Sequence, residues 1–330
     1  MLLDKRAIYK PLHYPWAFDA FKKQEQMHWL PTEIVLTDDV NDWKNNLNSG
    51  QKAFLEHLFR FFTQQDVTVG HAYASKYLPL FSGNPEVGMM LASFNAMEAI
   101  HVWSYSLLID TIGLPESEYS AFLDYAAMRD KYEFLEAVNT ETEFDIAKAI
   151  AIYSAFTEGM QLYASFAMLM HFERLGRMPG MTNIVRFSMK DEMVHADSLI
   201  QLFKVFCKEY LNAEEVSLLE AQVRHIAEKM VELEDKFIDL AFSVVTEEEL
   251  NQGLQASQEP LTRSKLRLYI RHISDYRLSQ LGFQPIYGAT KTPLKWLDDL
   301  MMSPEHANFF EVRPTQYAKG AVDTTGEILW

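Results

Sequence analysis

From about residue 45 onward, apolar positions recur in steps of three and four, the period of a helix with one buried face. The pattern predicts helices near 50–80, 85–112, 117–137, 143–174, 182–209, 213–245 and 260–281. Asn84 is placed to cap the second of these, with Pro85 at its first position. "IGLPE" closes that helix, "LGRMPGMTN" separates two later ones, and Asn212 offers a cap followed by first-turn acids. Residues 1 to about 45, with scattered prolines and aromatics, read as irregular. No period-two run of useful length and no Asn-Gly hairpin signal occurs. The expected fold is all-α, with a central bundle from the helices near 50–80, 85–112, 143–174 and 182–209 and later helices wrapped around it. Residues 311–330 lose all periodicity and read as a flexible tail behind a helical domain of residues 1–310. The tail ends in Ile328, Leu329 and Trp330, an apolar end suited to docking in a partner groove.

Charged residues interrupt two of the apolar stripes. One stripe runs Val87, Leu91, Phe94, Glu98, His101, Tyr105, Leu108, Ile112. Another runs Val185, Ser188, Glu192, His195, Leu199, Leu202. Each holds a Glu-x-x-His among core positions, and a buried charge costs several kcal/mol unless something compensates it. Each is also preceded by a helix with one acid on its apolar face. Asp66 follows Leu55, Phe59 and Phe62, and Glu158 follows Ala151 and Ala155.

Four carboxylates and two imidazoles converging in a bundle would repel one another if empty, and two divalent metals would offset that charge. Hard carboxylate oxygens with imidazole suit iron or manganese. A Glu-x-x-His on each of two helices, with one acid from each of two others, is the established arrangement of ferritin-like dimetal carboxylate bundles. The candidate ligands are therefore Asp66, Glu98, His101, Glu158, Glu192 and His195. Glu25-x-x-His28 has no acid helix before it and reads as solvated surface, and His57, His71, His171 and His225 read as ordinary polar residues. Tyr105 lies one turn, about 6 Å of rise, beyond His101. A phenol there is the nearest oxidisable group to a centre that reduces dioxygen, and apolar neighbours would shield its radical.

Composition removes other classes. A net charge of -16 disfavours nucleic-acid backbones and anionic lipid surfaces. The single cysteine, Cys207, rules out an intrachain disulfide and fits a reducing compartment. No signal-peptide pattern or membrane-length apolar run is seen, so the expected location is cytoplasmic. No Walker loop or dinucleotide-binding glycine pattern occurs.

"MEAIHVWSY", "FTEGMQLYASF" and "KDEMVH" together resemble the metal-binding segments of the small, radical-generating subunit of class I ribonucleotide reductase. The resemblance runs from about Trp29 to the tail. It implies that the six candidates are the ligands of a di-iron, dimanganese or mixed centre activated by dioxygen, with iron the first expectation. It implies a stable radical on Tyr105 and radical transfer through Trp29, Asp191 and Tyr317. It further implies a homodimer whose last residues anchor a large subunit, which supplies the reducing cysteines that Cys207 alone cannot. Leu162, Phe166 and Ser188 fall where the family lines the radical pocket with apolar residues, and Ser188 departs from that pattern. A stand-alone dimetal oxidase or oxygenase would share the ligands but has no use for Trp29, Asp191, Tyr317 or a docking tail. A ferritin-like metal store gives Tyr105 and the tail no role, and a metal-free helical protein leaves the buried acids unexplained.

Overall fold

The computed structural model describes residues 1–121 and 124–302, without the side chains of 62–64, 136 and 302. The expected boundary at 310, Tyr317 and the apolar end lie outside the described residues. The principal helices are α1 (Pro15–Met27), α2 (Ser49–Ala72), α3 (Pro85–Ile112), α4 (Ala126–Glu136), α5 (Glu143–Ala151), α6 (Tyr163–Arg174), α7 (Pro179–Tyr210), α8 (Ala213–Ala241), α9 (Arg263–Leu281) and α10 (Lys295–Met302). No strand occurs among the described residues. Helix α2 packs on α3, and α7 packs on α6 and on the segment joining α5 to α6. Contacts between α3 and α7 join the two pairs, while α8 and α9 pack together on the outside. Both interrupted stripes are buried along their whole length, from Val87 to Ile112 and from Val185 to Leu202. No helix among the described residues is long and apolar enough to cross a membrane.

Several expectations change. Residues 15–27 are helical, not irregular. Pro15 sits at the start of α1, where its missing N–H costs nothing. The run expected over 117–137 is divided into Glu118–Ala121 and α4, with Tyr125 extended between them and its hydroxyl accepting from Arg60 at 2.7 Å. Asn84 does not cap α3. Its amide instead donates to the Leu2 carbonyl at 2.6 Å and pins the amino end of the chain. Asn212 does cap α8, accepting from Glu214 and Glu215 while Glu215 bonds back to its N–H. The helix expected over 143–174 holds a ten-residue π-helical segment, Ile152–Gln161.

Helix α7, which carries the whole second stripe, is anchored by the amino-terminal segment. Asp39 accepts from the N–H groups of Gly180 and Met181 at 2.8 and 2.7 Å, and Asp42 accepts from Met178 at 2.7 Å. These are helix-start donors that the helix itself leaves unpaired. Burial raises the Asp39 carboxyl, against the lowering effect of the N–H groups it accepts from. Gly180 allows this approach, because a Cβ there would lie 2.6 Å from Asp39 Oδ2 and 2.7 Å from the Val35 carbonyl oxygen. Gly180→Ala should therefore cost about 1–3 kcal/mol, read as a lowered midpoint in urea denaturation; an unchanged midpoint would contradict this account of the anchor.

Candidate metal centre

The bundle brings all six candidate ligands together. Helix α2 supplies Asp66, α3 supplies Glu98 and His101, the π-helical segment supplies Glu158, and α7 supplies Glu192 and His195. All six are buried. They form two groups, each with donor atoms within 4.8 Å of one another: Asp66, Glu98 and His101, and Glu98, Glu158, Glu192 and His195. Glu98 belongs to both. His101 Nδ1 lies 3.6 Å from Glu98 and 3.3 Å from Glu192, and His195 Nδ1 lies 3.1 Å from Glu98 and 3.8 Å from Glu158.

The donor atoms that face one another are poorly satisfied by protein. Both Glu98 oxygens, one oxygen each of Glu158 and Glu192, His101 Nδ1 and both His195 nitrogens make no well-formed hydrogen bond among the described residues. Buried polar atoms are seldom left so, and here the carboxylate oxygens and the two Nδ1 atoms lie close together. Protonation shows the same tension. Burial raises Asp66 and Glu158 well above the carboxylate range, and neighbouring carboxylates raise them further. Burial also opposes ionisation of Glu98, yet the two adjacent imidazoles outweigh it and hold Glu98 down at about 2. Burial disfavours the His195 cation, but Glu192 and Glu98 push its pKa up to about 10. Without metal, protons neutralise the cluster; divalent cations would displace them. The residues thus fit a dimetal site of oxygen and imidazole donors.

A surrounding shell fixes the first imidazole. His101 Nε2 lies 3.1 Å from Asp191 Oδ2, which also accepts from Trp29 Nε1 at 2.8 Å. The other Asp191 oxygen accepts from Gln24 at 2.7 Å. A proton on His101 Nε2, assigned from this contact, leaves Nδ1 as the donor toward the cluster. The Trp29 ring stacks beside His101 with centroids 6.1 Å apart. Trp29, Asp191 and His101 therefore form one connected path from α3 to the amino-terminal segment.

The phenol of Tyr105 is buried and donates to Ser188 Oγ at 3.3 Å. Burial, then the Asp66 charge, raise its pKa and keep it protonated. Leu162 and Phe166 are buried as well. Ser188, singled out as polar in an apolar pocket, is thus the hydroxyl that Tyr105 meets.

Three residues near the cluster escape the sequence reading. Gln24 sits in a segment read as irregular. Arg277 of α9 donates from Nε to the Gly159 carbonyl at 2.9 Å and from Nη2 to the Tyr163 hydroxyl at 2.9 Å, holding the π-helical segment that bears Glu158. Such widened turns recur at functional sites. Tyr73 donates to Glu158 Oε1 at 2.6 Å. Its signal was available, since it follows Asp66 by seven residues and so shares its helix face. The other histidines and Glu25 stay outside both donor groups. Glu25 is exposed and accepts from Ser93 at 2.6 Å, and burial lowers the His171 pKa to about 3. Burial also pushes the Cys207 thiol up to about 12, leaving it unreactive.

A helical bundle whose core holds two carboxylate-imidazole groups sharing one glutamate belongs to the ferritin-like class with a dimetal-type site. Within that class, the family model described as ribonucleotide reductase, small chain, matches residues 6–293, and the chain belongs to this family of oxidoreductase subunits. It is 41 % identical to a probable ribonucleoside-diphosphate reductase small subunit of Invertebrate iridescent virus 6, covering 100 % of this chain and 98 % of that one. Among solved structures, it resembles the ribonucleotide reductase R2 subunit from Clostridium botulinum with a TM-score of 0.75 at 21 % identity, over 90 % of this chain and 91 % of that one. It also resembles the dimanganese(II)-NrdF of Streptococcus sanguinis with a TM-score of 0.73 at 16 % identity, over 86 % and 94 %.

Because Asp191 holds both His101 and its tautomer, Asp191→Ala should weaken divalent-metal binding by about 10–100-fold, measured by equilibrium dialysis of the metal-free protein. Wild-type affinity in the variant would show that the imidazole is positioned without Asp191.

Proposed function

We propose that this chain is the radical-generating small subunit of a class I ribonucleotide reductase, with Asp66, Glu98, His101, Glu158, Glu192 and His195 as the ligands of two metal ions and Tyr105 as the radical site. The observation that carries the reading is the pair of donor groups sharing Glu98, with the buried Tyr105 one turn along the same helix. When bound, the metals supply the electrons that reduce dioxygen and an oxidant strong enough to take one electron from a phenol. We assign iron, while the donors also accept manganese or a mixed pair.

The residues of the chain then have separable tasks. Glu98 serves both donor groups and sets their separation. Asp191 turns His101 so that Nδ1 faces the cluster. Tyr105 gives up an electron to the centre and its phenolic proton toward Asp66, the acid whose charge acts on the phenol, because a buried phenoxyl is tolerated as a neutral species and a charged one is not. Leu162 and Phe166 keep water and reductants from the ring. His101, Asp191 and Trp29 form the route along which the oxidised state leaves. Tyr317 continues that route in the tail, the last residues dock on the large subunit, and the small subunit acts as a homodimer. A stand-alone dimetal oxidase would leave this route and the tail without purpose.

Metal-free protein loaded with ferrous iron and oxygen should show a tyrosyl signal, persistent over minutes, by electron paramagnetic resonance. Tyr105→Phe should remove that persistent signal and keep two metals per chain; an unchanged persistent signal would reject Tyr105. Deleting the residues after Gly320 should abolish ribonucleotide reduction with a large subunit while the radical forms normally. Full turnover by the truncated chain would rule out docking through the tail.

A further inference from the structure

Tyr105 is not the only phenol beside the cluster. Tyr73 approaches the other donor group. Its ring is fully buried, lies with its centroid 6.2 Å from that of His195, and donates its hydroxyl to Glu158 Oε1 at 2.6 Å. Once metal displaces the proton that burial keeps on Glu158, this short contact becomes a hydrogen bond to an ionised carboxylate. Phe94 packs edge-on to Tyr73 and lies over His195, closing this side from solvent.

Next to Tyr73 stands Tyr77, centroids 5.8 Å apart, and beyond it Tyr153, a further 5.6 Å on. The three rings are buried and contiguous, yet their hydroxyl partners differ. Tyr77 donates to the Ala149 carbonyl at 3.1 Å and Tyr153 to the Leu135 carbonyl at 3.2 Å. A backbone carbonyl accepts a hydrogen bond but is too weak a base to take the proton. A carboxylate can take it. Loss of an electron from a buried phenol without loss of its proton leaves a buried cation, which costs several kcal/mol. The carboxylate partner of Tyr73 removes this cost, and the carbonyl partner of Tyr77 does not.

We propose that Tyr73 is a second redox-active phenol of this centre, oxidised on the Glu158–His195 side as Tyr105 is on the Asp66 side. The inference rests on the dimetal reading given above. The oxidant is the dimetal centre after reaction with dioxygen. One electron passes from the Tyr73 ring to that centre, and the phenolic proton moves along the hydrogen bond to Glu158 Oε1, leaving a neutral phenoxyl. The hole stays on Tyr73, because the neighbouring Tyr77 cannot shed a proton to its carbonyl. Tyr73 thereby accepts oxidising equivalents that Tyr105 does not take up, and a phenoxyl in direct contact with a ligand is re-reduced sooner than one held at a distance.

The test freezes the reaction within about a second of mixing iron-loaded protein with oxygen and reads the paramagnetic signal of Tyr105→Phe. A short-lived phenoxyl is expected, narrowed when the protein carries ring-deuterated tyrosine. It should fall at least tenfold in Tyr105→Phe/Tyr73→Phe and persist in Tyr105→Phe/Tyr77→Phe, with two metals per chain in each variant by elemental analysis. Should the first double variant fold poorly, 3-fluorotyrosine placed at position 73 alone keeps the hydroxyl and should add a fluorine splitting to the signal. A wild-type protein with a persistent radical, but no short-lived signal in Tyr105→Phe, overturns this inference alone. A signal that survives Tyr73→Phe, or lacks the fluorine splitting, also overturns it. No radical in the wild type overturns both this inference and the function from which it starts.

Discussion

Burying four carboxylates and two imidazoles in one apolar bundle is the constraint around which the rest of the structure is arranged. In such surroundings each ionised group loses its hydration, and like charges a few ångströms apart add to the cost. The protein alone relieves this by keeping protons on Asp66 and Glu158 and charging the imidazoles. That solution leaves several donor atoms without good partners. Cations would complete it, and the same low dielectric that makes the empty cluster costly would strengthen every metal–carboxylate attraction. Stability and chemistry are therefore tied to one set of atoms.

Holding those atoms requires rigid supports outside the four central helices. The amino-terminal segment does much of this. Gln24 and Trp29 bind Asp191, while Asp39 and Asp42 fix the start of the helix on which Asp191, Glu192 and His195 are borne. Residues 15–42 are thus a clamp on α7, and through Asp191 the clamp reaches His101 on α3. On the opposite side, Arg277 reaches in from α9 to bind the Gly159 carbonyl beside Glu158. Gly159 permits that contact, since a Cβ there would lie 2.8 Å from the guanidinium. The outer helix therefore positions the one candidate ligand that lies in a π-helical segment.

Under the proposed function, local partners would divide a shared oxidant between the two flanking tyrosines. Tyr105 meets a serine hydroxyl in an apolar pocket, surroundings that slow the decay of a radical once formed. Tyr73 meets the carboxylate of Glu158, a candidate ligand, surroundings that would ease both loss and return of a proton. The two rings differ in the group that meets the hydroxyl, a carboxylate for Tyr73 and a serine hydroxyl for Tyr105.

Periodicity and residue chemistry were enough to determine the helical class, the span Pro85–Ile112, the capped start of α8 and the six polar residues that interrupt the apolar stripes. Those features are local, because a helix face and a Glu-x-x-His spacing are written within a few turns of chain. The role of α1, the turn of Asn84 toward Leu2, the widened turns around Glu158 and the hold of Arg277 were decided only in three dimensions. Each depends on a partner far away in sequence, whose side chain satisfies a backbone group or a buried charge. Tyr73 lies between the two cases. Its place on the Asp66 face follows from helical spacing, but its meeting with Glu158 required the packing of α2 against the π-helical segment, which no pattern along the chain specifies.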